Sequence, residues 1–236
     1  MKKLWYIVYC CAIPAIIFAN FYTETIFIQK IGGIESITNL ILVLYYITNR
    51  KSKFVTNDWL LIEALLFTCV GGILLQLYEN EELLYFINTM GFYLSQFTYI
   101  NIFRNEGSSL PPYFSAFREW KLMAVSILFI LGLLFVFTPY IPDKLLVISF
   151  IYSTQMLILC WMAYYRPIEK KAYQVGILGA VLLIFSNVWL TISLLVAQFP
   201  YMVLIYFIFY SSSQYFILES ILKNINNSTL TSDNPS

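Results

Sequence analysis

With 236 residues, of which 60% are apolar and 11% charged, the chain lies outside the range of soluble domains, which run at about 45–50% apolar and about 25% charged. Fourteen basic against thirteen acidic residues leave a formal charge of +1, which excludes a polybasic nucleic-acid binder and an acidic solvating chain alike. The expected class is an all-α polytopic membrane protein whose partner is membrane lipid, since eight helices of roughly 20 residues each leave no room for a soluble domain.

Taken in chain order, apolar stretches bounded by charge, Pro or Asn predict eight spans, at 4–19, 31–48, 58–77, 83–103, 120–137, 145–163, 173–196 and 201–222. The first begins Met-Lys-Lys, as a secretory signal also does. Its end at Ile17, Phe18 and Ala19 is a poor cleavage site, so eight retained spans are expected, and seven if the segment is a cleaved signal. The second is thinned by Gly32, Gly33, Glu35 and Asn39 and spans if short or tilted. The loops obey the rule that cytoplasmic segments keep Lys and Arg. With the N-terminus inside, twelve basic residues fall in inner segments, and only Lys30 and Lys144 fall in outer ones. Both termini are therefore expected in the cytoplasm, and the expected location is a bacterial inner membrane. Residues 1–223 form a single transmembrane domain, and 224–236 read as a polar, disordered cytoplasmic tail.

Chemistry must come from a few polar side chains. Histidine is absent, which removes the commonest general base and any imidazole-ligated metal site. The four cysteines lie inside spans without ligand spacing and read as packing residues; no GxxxxGK[ST] or GxGxxG occurs, and no cofactor is expected. Polar residues inside spans are candidates by default, because hydrocarbon penalises them unless they face the bundle interior. They recur on particular faces: Thr68, Gly72 and Gln76 on the third span; Asn88, Ser95, Gln96 and Tyr99 on the fourth; Tyr152 and Gln155 on the sixth. Gly176, Gly179, Ser186 and Asn187 follow on the seventh, and Tyr206, Tyr210 and Gln214 on the eighth. The same spacing of small residues also serves close helix packing. Glu63 reads as the one carboxylate well inside a span, and Glu219 as an interfacial or paired one.

The stretch GAVLLIFSNVWL at 179–190, followed by Tyr206 and YSSSQ at 210–214, resembles the last two helices of the YhhN family of lysoplasmalogenases. VGGILL at 70–75 lies where that family has a Gly-Asp helix, and FYLSQFTY at 92–99 where it has Phe, His and Tyr; Tyr152 and Arg166 also fall in order. The resemblance implies an eight-helix membrane hydrolase that cleaves the vinyl-ether bond of a lysoplasmalogen, a lysophospholipid, to a fatty aldehyde and a glycerophospho-base. It implies catalytic positions at Asn187 and Gln96, and substrate contacts at Tyr99, Tyr152, Arg166, Ser186, Tyr210 and Gln214. The family's Asp and His are replaced by Gly72 and Gln96. Glu63 is the remaining carboxylate candidate, though nine residues at roughly 100° each put it on the opposite side of its helix from Gly72. Two readings follow. One is a divergent but active hydrolase whose acid is not placed by the sequence, with Glu63 on a rotated helix as the candidate; the other is a non-catalytic lipid-binding, sensing or transport protein on the same fold. The loss of the family's Asp and His predicts very weak or absent turnover.

Overall fold

The computed structural model describes residues 27–50, 53–77, 81–109, 120–141, 143–193 and 202–232, and the first predicted span lies outside them. Seven helices are present among them: α1 (Phe27–Asn49), α2 (Thr56–Leu77), α3 (Glu81–Asn105), α4 (Trp120–Phe137), α5 (Asp143–Tyr164), α6 (Lys170–Thr191) and α7 (Met202–Ser232), with a 3-10 turn at Thr138–Tyr140. No strand occurs among the described residues.

The segments over Thr56–Leu74, Leu146–Tyr164 and Lys170–Thr191 are long and apolar enough to cross a bilayer on their own. Burial is inverted relative to a water-soluble bundle. Leu44, Trp59, Leu128 and Phe185 stand exposed, while Glu35, Asn39, Gln96 and Gln214 are buried. An apolar exterior around a polar interior is the arrangement lipid selects. The protein is an integral membrane protein.

Six helices close a ring in which α1 packs on α2, α2 on α3, α3 on α5, α5 on α6, α6 on α7 and α7 back on α1; α4 docks outside, chiefly on α5. Two seams depend on glycine. A Cβ at Gly91 would stand 3.0 Å from the Phe67 carbonyl and 3.3 Å from the Gly71 Cα, so α2 and α3 meet backbone to backbone. At Gly179 a Cβ would lie 2.8 Å from the Ile217 amide nitrogen, so α6 and α7 do the same. Such close approach is how membrane helices gain dispersion contacts when lipid is as apolar as the partner helix.

The helix ends explain where the elements stop. The Ser108 amide bonds the Phe103 carbonyl and the Gly107 amide bonds that of Arg104, both at 3.0 Å, with Gly107 at φ +90°. This is the Schellman closure of α3, and it needs the residue that carries no Cβ in the left-handed region. At the start of α2 the Asp58 carboxylate reaches back to the Val55 amide at 2.5 Å, satisfying one of the donors that a helix N-terminus leaves free. The eighth predicted span extends further than expected. The tail expected to be disordered from Asn224 is helical to Ser232, because Ile225 is buried and Asn224, Asn226 and Asn227 bond Glu106, Arg50 and Glu169.

Candidate functional site

One end of the ring is tied by ion pairs. Arg166 donates through Nε to Glu106 at 2.8 Å and through an NH group to Ser220 at 2.9 Å, and its guanidinium lies 4.3 Å over the Phe103 ring. Burial raises the Glu106 pKa and lowers that of Arg166, while each partner pulls the other back toward the charged form. Arg50 pairs with Asp58 at 2.7 Å, and the same carboxylate accepts the Tyr46 hydroxyl. This end is a clamp. Arg166, expected at the substrate, is held in it.

From there a ladder of polar side chains climbs the interior. Tyr45 donates to Glu219 at 2.8 Å, which confirms Glu219 as a paired residue, with Lys223 on its other side. Above it Tyr99 donates to Gln214 at 2.5 Å. Higher still, Asn39 donates to Thr68 at 2.7 Å and to Tyr210 at 2.8 Å. At the top Tyr206 donates to Glu35, and Gln96 donates to the Tyr152 hydroxyl at 2.9 Å, which in turn donates to Asn187 at 2.6 Å. Fourteen residues separate Ser220 from Tyr206, so the ladder rises about 21 Å at 1.5 Å per residue. Tyr206 and Tyr210 stack with ring centroids 5.6 Å apart, and Phe92 meets Tyr210 edge-on. Tyr210 of α7 accepts from Asn39 of α1 and meets Phe92 of α3, and Tyr99 of α3 donates to Gln214 of α7, so α7 links the contacts of α1 to α3, the helix that carries Gln96.

Gln96 and Asn187 are therefore brought together through the one hydroxyl of Tyr152, while Tyr99 pairs with Gln214 and Tyr210 with Asn39 on other rungs. Ser186 is buried, but its hydroxyl bonds the Leu183 carbonyl of its own helix. Glu63 does not belong to the site. It stands exposed on the outer wall of α2, in an apolar groove with Trp59, Leu66 and Met90. The side chains of Gln76 and Asn88 lie outside the described set.

Two interior polar residues are not among the candidates that the sequence offers, Glu35 and Asn39. Both are fully buried. The signal was present in the spacing, since positions 35, 38, 39, 42, 45 and 46 are all buried on one face of α1. Low hydropathy there marks an interior polar face and not a weak span.

The site has unused capacity. Glu35 Oε2, Thr38 Oγ1, Asn39 Oδ1, Gln96 Oε1 and Gln155 Oε1 are buried with no hydrogen-bond partner among the described residues. Buried polar atoms in a finished protein are paired, so these five, on α1, α3 and α5, have capacity for water or ligand groups. A cavity of about 240 Å³ opens between α3 and α5, lined by Thr89, Met90, Tyr93, Ile148, Ile151 and Tyr152, and so reaches the hub of the network.

Residues 34–221 match the YhhN family. No curated protein and no solved structure matches the chain.

Proposed function

The chain belongs to the YhhN family, and from that premise we propose that it admits a lysoplasmalogen from the bilayer and hydrolyses its vinyl-ether bond to a fatty aldehyde and a glycerophospho-base. The observation that carries this reading is the side cavity between α3 and α5, whose wall includes Tyr152, the residue that joins Gln96 to Asn187. A single-chain lipid fits such a cavity. Its alkenyl chain lies along apolar walls, and its ether oxygen and glycerol hydroxyl meet Gln96, Tyr152 and Asn187. The described basic side chains are gathered at the clamp, so the interior recognises the uncharged linkage and leaves the phosphate nearer the surface. The proposed membrane topology is eight spans with both termini in the cytoplasm of a bacterial inner membrane.

The test uses the purified protein in lipid nanodiscs, with lysoplasmalogen as substrate and the saturated alkyl-ether lysophospholipid as control. Aldehyde measured by mass spectrometry is expected from the first and not from the second. A second reading is favoured by the chemistry of the Gln96–Tyr152–Asn187 hub, which holds no group that is acidic near neutral pH. That reading is a lipid binder or sensor without turnover. Saturable binding of both lipids with no aldehyde would establish it in place of hydrolysis.

A further inference from the structure

Vinyl-ether hydrolysis begins with protonation of carbon, so the site needs an acid. The hub offers none, and Glu63 faces outward. Glu35 is different in every respect. It is 0% exposed and accepts the Tyr206 hydroxyl on Oε1, while Oε2 has no partner among the described residues. Arg50 lies fifteen residues along the same helix, about 22 Å away, Lys223 pairs with Glu219 near the clamp, and Lys30 stands five residues toward the start of α1. A buried ionised carboxylate with one oxygen unpartnered is costly. Asn39 meets Thr68 and Ser36 meets the Cys69 carbonyl, so the antiparallel register of α1 and α2 sets Glu35 level with Gly72, where α2 carries no side chain.

We propose that Glu35 is the proton donor of this site, oriented by Tyr206. The inference rests on the hydrolytic reading above and supplies its missing acid. The Glu35 O–H proton goes to the alkenyl carbon remote from oxygen, whose π electrons form the new C–H bond. An ether-oxygen lone pair stabilises the resulting cation as an oxocarbenium ion. Water adds to the carbon beside oxygen and returns a proton to the Glu35 carboxylate. The hemiacetal then collapses, breaking its carbon–oxygen bond to the glycerol, and gives one aldehyde and one alcohol for one water consumed.

Glu35→Gln keeps the shape and the Tyr206 contact but has no acidic proton. It is expected to lower kcat at least 100-fold, in the range general acid catalysis supplies, while binding of the saturated alkyl-ether analogue and the thermal midpoint stay near those of the parent. Tyr206→Phe is expected to lower kcat about tenfold with the same binding. In D2O the parent's aldehyde carries one deuterium on the carbon next to the carbonyl, marking carbon protonation. If Glu35→Gln does not fold, Glu35→Asp decides, because its carboxyl is withdrawn by one methylene: at least tenfold slower turnover supports the proposal and parental turnover overturns it. A folded Glu35→Gln within threefold of the parent overturns the assignment of Glu35 and leaves the hydrolytic reading standing. A parent protein that binds the analogue but releases no aldehyde overturns both.

Discussion

Tyr152 uses one hydroxyl twice, accepting from Gln96 and donating to Asn187. Asn187 also donates to the Leu183 carbonyl at 2.8 Å, so its amide is fixed from both sides and holds the phenol in place. Tyr152→Phe removes a single oxygen and leaves a buried amide donor and a buried carbonyl oxygen unpaired. A stranded buried polar group costs about 1–3 kcal/mol, so a loss of that size is expected in detergent unfolding, together with weaker binding of the alkyl-ether analogue. Adding Gln96→Met takes away one of the stranded groups and should recover part of the stability. If the double variant is as unstable as the sum of the two single ones, the two residues do not share a bond. Most of this hub was legible in the sequence, because amides and phenols recurring at helical spacing in apolar segments have few places to go except inward. Glu35 and Asn39 were not, because they sit in the span of weakest apparent hydropathy, where the same residues read as evidence against burial. Arg166 shows the opposite limit: sequence marks it as unusual, and only the fold shows that Glu106, Ser220 and Phe103 already hold it.

Helix pairs differ in how much room their glycines leave, and that difference is testable. Gly179→Ala sets a methyl 2.8 Å from the Ile217 amide nitrogen and 3.0 Å from the Ser213 carbonyl, neither of which is a flexible side-chain end. α6 and α7 must separate, and overpacking of this kind costs about 1–3 kcal/mol. Gly132→Ala on α4 meets nothing within 4 Å, and alanine's better helix propensity, worth about 1 kcal/mol, makes it neutral or slightly stabilising. Thermal unfolding of the two variants side by side checks the contrast. The clamp joins elements in the same way, because Arg166 ties the end of α3 to α7. Arg166→Lys loses the forked geometry and the ring contact, and a broken buried pair costs about 3–5 kcal/mol. A Lys variant as stable as the parent would mean that the clamp is not what binds these helix ends. Seven of the eight predicted spans have a helix in the described residues, and their bounds shift by only a few residues except at the last. The C-terminal extension was missed because polarity alone argued for a tail, whereas Asn224 and Asn226 find carboxylate and guanidinium partners that only the assembled clamp provides.

At the scale of the whole molecule, the charge pattern and the fold constrain one another. Arg50 closes α1, Lys53 precedes α2, Arg104 is in the last turn of α3, Arg166 follows α5, Lys170 and Lys171 open α6, and Lys223 lies on α7. The contacts of Arg50 with Asp58 and Asn226, and of Arg166 with Glu106 and Ser220, put these helix ends on one side of the ring. Lys30 and Lys144 lie near the opposite ends of α1 and α5. An alternation read from loops alone depends on every span having been found, but residues in contact share a side whether or not a span was missed. The proposed topology, which rests on the Lys and Arg bias, puts the clamped side in the cytoplasm. Alkaline phosphatase fused to the C-terminus is expected to be inactive in a bacterial host, and a fluorescent protein at the same place to glow. Fusion of the phosphatase between α5's start and the turn before it, near Asp143, is expected to give the opposite result. An active C-terminal phosphatase would invert the molecule and put the clamp outside. The cavity between α3 and α5 would then open toward the other leaflet, and lysoplasmalogen supplied to the opposite face of sealed vesicles would be the one consumed.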